Sequence, residues 1–125
     1  MDKEELKLRT KRFAINIIKL VDELPQKRSI NVLSNQLLRC SSSIGANYRS
    51  ACKGKSTADF INKIIIVEEE ADESIYWLEL LEESGLNNRE DIQKLKKEAN
   101  ELTAIFTAIG KTAKANQQKL KISKG

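Results

Sequence analysis

The sequence predicts an all-α protein, an antiparallel up-down-up-down four-helix bundle, and three observations predict it. The chain of 125 residues holds one proline and five glycines, too few turn-formers for β architecture. Its composition is 32 % charged and rich in Leu, Ile, Lys and Glu, the usual material of long helices. Apolar residues recur every three or four positions in four separate blocks joined by short polar links. A chain of this length is expected to form one domain, residues 1–125, burying roughly 65 to 70 % of its unfolded surface.

The first helix is expected at about residues 3–24. Leu6, Phe13, Ile17, Leu20 and Leu24 keep helical spacing, broken once at Thr10, and Ile18 and Val21 widen the stripe. Pro25 ends it, because the residue before a proline is pushed out of the α region. The second helix, at about residues 31–53, follows a short link in which Ser29 or Asn31 is placed to cap it. Leu33, Leu37, Cys40, Ile44, Tyr48 and Ala51 are its core stripe, and Gly54 offers a left-handed stop.

Ser56 with Asp59 resembles a capping box and starts the third helix, at about 57–84. Phe60, Ile64, Val67, Ala71, Ser74, Leu78 and Leu81 form its heptad seam. Ser84-Gly85-Leu86-Asn87-Asn88 then supplies a stop and a new cap. Ile92, Leu95, Ala99, Leu102, Phe106, Ile109 and Ala113 mark the fourth helix, at about 89–114, and the basic tail 115–125 loses the repeat and is expected to fray. Links this short force consecutive helices to run antiparallel.

Helix three carries more apolar surface than one seam can bury. Ile61, Ile65, Tyr76, Trp77 and Leu80 lie outside the seam, and such a surplus calls for a second neighbour. These five are the candidate oligomer interface, with another copy of the chain as the expected partner.

Several function classes are excluded or disfavoured. The longest wholly apolar run is Ile64 to Val67, far below the ~20 residues needed to cross a bilayer, and the start M-D-K-E-E-L-K does not resemble a signal peptide. Cys40 and Cys52 on one helix stand about 18 Å apart at ~1.5 Å per residue, too far to bridge, so reduced thiols and a cytoplasmic location are expected. The acidic run Glu68-Glu69-Glu70-Ala71-Asp72-Glu73 invites a dimetal reading, but the usual bundle site needs Glu-x-x-His and the chain has no histidine. No base stands ready to activate Cys or Ser, and Lys53-Gly54-Lys55-Ser56-Thr57 lacks the upstream glycine and the strand of a phosphate loop. No catalytic residue, metal or cofactor is expected.

Charge is segregated by element. From Leu24 to Ala58 there are six Lys or Arg and no acid; from Asp59 to Asp91 eleven acids face two cations; beyond Ile92 eight Lys face two Glu. On the second helix Arg39, Ser42, Ala46, Arg49 and Lys53 fall within roughly 80° of one another, away from the core stripe. Cations separated by small residues let a polyanion approach closely, so Arg39, Arg49, Lys53 and Lys55 are the first candidates for phosphate contact. Lys94, Lys97 and Lys111, followed by Lys119, form a looser second stripe on helix four. The competing reading is that Arg39 and Arg49 bind helix-three carboxylates such as Glu69 or Glu73. Tyr48 belongs to the core stripe, and the region has too few aromatics for sequence-specific base readout.

Three runs carry a resemblance: Gln36 to Ala51 (Q-L-L-R-C-S-S-S-I-G-A-N-Y-R-S-A), Lys55 to Ile64 (K-S-T-A-D-F-I-N-K-I) and Ile66 to Leu81 (I-V-E-E-E-A-D-E-S-I-Y-W-L-E-L-L). They resemble the bacterial four-helix-bundle family known as 23S rRNA-intervening-sequence proteins. The likeness covers helices two and three closely and the ends by pattern. It implies an up-and-down bundle that assembles as a homopentamer and has no catalytic residue. The accessory variability determinant of diversity-generating retroelements shares this architecture, which implies nucleic acid and a reverse transcriptase as possible partners. Many relatives read A-N-I-A-E-G where this chain has Ala46 to Ala51 as A-N-Y-R-S-A, a cation in place of an acidic region.

Two functions are therefore expected to compete. One is an oligomer that binds RNA or DNA phosphates through its basic surface. The other is a scaffold or accessory subunit, for a reverse transcriptase or another protein, in which nucleic acid is incidental. No membrane partner is expected.

Overall fold

A computed structural model describes residues 1–124 of the chain. Four helices order it: α1 (Lys3–Glu23), α2 (Arg28–Cys52), α3 (Thr57–Leu81) and α4 (Glu90–Lys124), with one π-helical turn at Glu82–Leu86. No strand occurs among the described residues.

The cross-helix contacts establish the directions. Thr10 of α1 lies against Gly45 of α2, Cys40 of α2 against Ser74 of α3, and Ile64 of α3 against Gly110 of α4. Arg9 reaches Glu98, whereas Glu23, at the other end of α1, reaches Arg89 just before α4. Gly54 meets Asp59 at the other end of the α2–α3 pair, and Lys96 reaches Glu82 just after α3 where Thr107 reaches Glu68, so α2–α3, α3–α4 and α1–α4 each run antiparallel, and the short link 24–27 turns α2 back along α1. α2 packs on α1 and α3, α3 packs on α4, and α1 touches α4 least.

Local signals account for most of the boundaries. Asp2 caps α1 by accepting from the Glu5 N–H at 2.8 Å, and Glu4 and Glu5 complement the positive end of the helix dipole. α1 stops at Glu23 because Leu24, preceding Pro25, is extended at ψ 153°. Ser56 caps α3 by accepting from the Asp59 N–H at 3.1 Å, as the capping box requires.

Four expectations need correction. α2 begins at Arg28, three residues before the expected start, and Lys27 at its head makes no side-chain cap; neither Ser29 nor Asn31 serves. Gly54 does not adopt the left-handed conformation, since Gly85, at φ 118°, is the described residue with positive φ. Gly54 is instead required by space: a Cβ there would stand 2.9 Å from the Ala51 carbonyl and 2.9 Å from an Asp59 carboxylate oxygen. Third, regular α-helix in α3 ends at Leu81 rather than near Ser84, and the chain continues through the π-helical turn in which Gly85 makes the break. Finally, α4 runs on to Lys124 instead of fraying after 114. Residues 115–124 contain no Gly or Pro and are rich in Lys and Gln, so helix propensity holds the segment without a packing face. The apolar repeat lapses there because α3 starts at Thr57 and leaves nothing opposite; Leu120 and Ile122 are exposed.

The anticipated stripes meet in one core. Phe13, Ile17, Leu37, Cys40, Ile44, Ile64, Leu78, Leu102 and Phe106 are all buried. Thr10 fills the gap in the α1 stripe at no polar cost, because its hydroxyl donates to the carbonyls of Leu6 (3.0 Å) and Lys7 (2.9 Å). Tyr48 packs edge-on against Phe106 with centroids 5.3 Å apart. Where α1 faces α4, charge replaces apolar contact: Arg9 clasps Glu98 through two bonds of 2.7 and 2.6 Å, and Arg89 joins Glu23 and Asp91.

Candidate nucleic-acid interface

α2 turns its core stripe inward, and the opposite side of the helix is therefore the side that carries Arg39, Ser42, Ala46, Arg49 and Lys53. Of these, Arg39 is occupied. Its guanidinium reaches Glu73 at 2.5 Å and Glu70 at 3.2 Å on α3. Both partners feel the pairing unequally: the bond to Glu73 raises the Arg39 pKa, while burial raises that of Glu70 against the pull of Arg39. The competing reading, a cation tied to helix-three carboxylates, describes Arg39, with Glu70 in place of Glu69.

Arg49, Lys53 and Lys55 are exposed and join no ion pair among the described residues. Arg49 lines a groove of about 550 Å³ between α1 and α2, with Lys7 and Lys11 on the facing wall and Ser42, Gly45 and Ala46 along α2. The small residues matter. A Cβ on Gly45 would stand 3.2 Å from the Thr10 hydroxyl, so glycine is what lets the two helices approach here. Lys7 also bonds Glu4 at 3.1 Å, an exposed pair of little worth that a phosphate can displace. Near the bundle end Lys3 lines a smaller cleft with Lys55 and Ser56.

Lys3, Lys7 and Lys11 thus form a row at four-residue spacing, about 6 Å per step, beside Arg49 on the antiparallel helix. The sequence reading missed this row, because Glu4 and Glu5 interrupt it in the linear order. The i, i+4, i+8 spacing was the available signal.

Lys94, Lys97 and Lys111 are exposed on α4 and unpaired among the described residues. Lys94 lines a groove of about 750 Å³ between α1 and α4, shared with Arg12 and Lys19. The structure does not unite these lysines with Arg49, since α1 stands between α4 and the α1–α2 groove.

The candidate interface residues of helix three are also divided. Ile61 is buried by its own chain, a correction that removes it from any free surface. Ile65, Trp77 and Leu80 are half-buried, and Tyr76 is exposed with its ring edge-on to Trp77. Cys40 is enclosed beside the Ser74 hydroxyl at 3.2 Å, and burial pushes its thiol up to about 11, which keeps it protonated and unreactive. No group of three or more potential metal ligands occurs among the described residues, and no described helix is long and apolar enough to cross a membrane.

The fold and the groove define a small antiparallel helical bundle with a cationic face between its first two helices. The chain belongs to the 23S rRNA-intervening sequence protein family, which matches it across residues 4–108. It is also similar to a crystal structure of a protein of unknown function from the S23 ribosomal protein family of Bacteroides thetaiotaomicron. The two are 37 % identical with a TM-score of 0.80, over 89 % of this chain and 99 % of that one. No curated protein matches the chain. Neither the family description nor that of the crystal structure names a catalytic activity.

Proposed function

We propose that this protein is a non-enzymatic, cytoplasmic homo-oligomer that binds RNA or DNA through backbone phosphates along the α1–α2 groove. The observation that carries the reading is the convergence of Lys7, Lys11 and Arg49 on a groove walled by small side chains. Cations from two helices at that spacing neutralise successive phosphates and release their counterions. No aromatic side chain lines the groove, which favours backbone contact over base stacking. Lys53, Lys55 and Lys3 extend the path, and Lys94, Lys97 and Lys111 form a secondary surface. The family description, an rRNA-intervening sequence protein, supports this partner class. Assembly, expected as a pentamer from the family resemblance, would repeat a weak site around one particle and add affinity by avidity.

The test compares two charge reversals in a titration against labelled structured RNA. Lys11→Glu with Arg49→Glu is expected to lower affinity at least tenfold, and Lys97→Glu with Lys111→Glu less than threefold. Equal losses, or none, would contradict the assignment to this groove.

A second reading, an interaction scaffold or accessory subunit of a reverse transcriptase or other enzyme, is favoured by Arg39. Its engagement by Glu70 and Glu73 of its own chain withholds this cation from phosphate and leaves the face less suited to nucleic acid.

A further inference from the structure

The far end of α4 leaves the bundle and continues as a single helix. Phe60, in the first turn of α3, shares a shallow cavity with Ile109, Thr112, Ala113 and Asn116, which is where α3 stops covering α4. From Gln117 to Lys124 the helix extends about 12 Å further at ~1.5 Å per residue, and residues 118–123 are all exposed. This segment lies beyond residue 108, where the family match ends. After Glu101 the chain carries Lys111, Lys114, Lys119, Lys121 and Lys124 and no acid. Lys114, Lys119 and Lys121 are exposed and join no ion pair among the described residues. Residues two apart stand roughly 160° apart around a helix, so Lys119 and Lys121 flank this one on opposite sides, and Leu120 and Ile122 are split in the same way.

We propose that this projecting end of α4 is a second nucleic-acid contact, one that lies in the major groove of double-stranded DNA. The inference shares the nucleic-acid partner proposed above but not its site, and it narrows that partner to a B-form duplex. Cations on opposite sides of a rod need anions on both sides, and a groove walled by two phosphate backbones supplies them. A helix ~10–12 Å across fits the B-form major groove, ~12 Å wide, whereas the major groove of A-form RNA is too narrow for it. A lipid surface meets a helix from one side and needs its apolar residues gathered on one face; Leu120 and Ile122 do not meet that need. With no Gly or Pro in residues 115–124 the rod is formed before it binds, so docking carries little ordering cost.

Fluorescence anisotropy with a DNA duplex and an RNA duplex of matching sequence tests this. Lys114→Gln, Lys119→Gln and Lys121→Gln together remove the charge and keep the helix propensity. The triple variant is expected to bind the DNA duplex about tenfold more weakly or worse, and the RNA duplex less than about threefold more weakly. Gln117→Pro removes no charge but breaks the helix where it leaves the bundle, and is expected to weaken DNA binding to a similar degree, whereas Gln117→Ala is expected to have no effect. Circular dichroism checks that the rest of the bundle stays helical. Equal losses on the two duplexes, or full DNA affinity in the proline variant, overturn the major-groove assignment, and no loss in the triple variant overturns the site itself. Lys11→Glu with Arg49→Glu, read on the same duplexes, separates the two proposals. If that reversal weakens binding and the triple variant does not, this inference alone fails; if the triple variant alone weakens DNA binding, the α1–α2 assignment alone fails. An unaltered chain that binds neither duplex overturns both.

Discussion

A methyl group added to Gly45 would stand 3.2 Å from the hydroxyl oxygen of Thr10, and that hydroxyl is itself fixed by two carbonyls of α1. The pair sets how closely α1 and α2 approach and thereby the width of the cationic groove. Gly45→Leu is expected to force the helices apart and cost about 1–3 kcal/mol, measured by urea denaturation. Gly45→Ala is expected to stay within about 1 kcal/mol of the unaltered chain, because the helix propensity gained in α2 offsets the crowding.

The seam between α1 and α4 depends on Arg9. Its two bonds to Glu98 have the planar geometry that lysine cannot reproduce, and both side chains are about three-quarters buried, at 26 % and 28 % exposure. Arg9→Ala is expected to destabilise the chain by about 1–2 kcal/mol, between the value of an exposed pair and that of a well-made charged hydrogen bond. Arg9→Lys should recover less than half of that loss. A loss under about 0.3 kcal/mol for Arg9→Ala would place the stability of the seam elsewhere.

The Arg89 guanidinium beside Asp91 holds that carboxyl below the usual carboxylate range, helped by the Ile92 N–H. A group whose folded pKa is depressed contributes stability above its unfolded value, near 4, and loses it as pH falls through the folded value. Acid titration of the melting temperature is therefore expected to show a stabilising contribution that fades below about pH 4, and Arg89→Ala to flatten that part of the curve. A curve unchanged by Arg89→Ala would contradict the linkage.

The two thiols should separate by reactivity. With burial raising the Cys40 pKa to about 11, a disulfide-exchange reagent at pH 8 should modify the half-buried Cys52 and reach Cys40 only on unfolding. Two equally fast thiols in the native chain would contradict the core assignment of Cys40.

Much of this architecture was legible in the linear order because burial imposes a period. Every residue of the helix-three seam from Ile64 to Leu81 is buried, and Tyr48 took the core position that its place in the stripe required. Signals without burial misled. The start of α2 lacks a capping side chain, so nothing marked Arg28, and the last ten described residues of α4 hold their helix by propensity alone after the periodic signal stops. The groove was only half visible: Arg49 and Lys53 stood out in a segment free of acids, whereas Lys3, Lys7 and Lys11 gain meaning only once α1 lies antiparallel beside α2. The partners of Arg39 are 31 and 34 residues away, and spacing along α2 carries no information about them.

The most direct measurement of the central claim is the salt dependence of RNA affinity, unaltered chain against Lys7→Gln, Lys11→Gln, Arg49→Gln. Each phosphate contact contributes about 0.7–0.9 to the slope of log affinity against log salt. If the α1–α2 groove is the phosphate path, the triple variant should bind more weakly with a slope shallower by roughly two to three. Parallel slopes, with the groove neutralised and nothing lost, would contradict it.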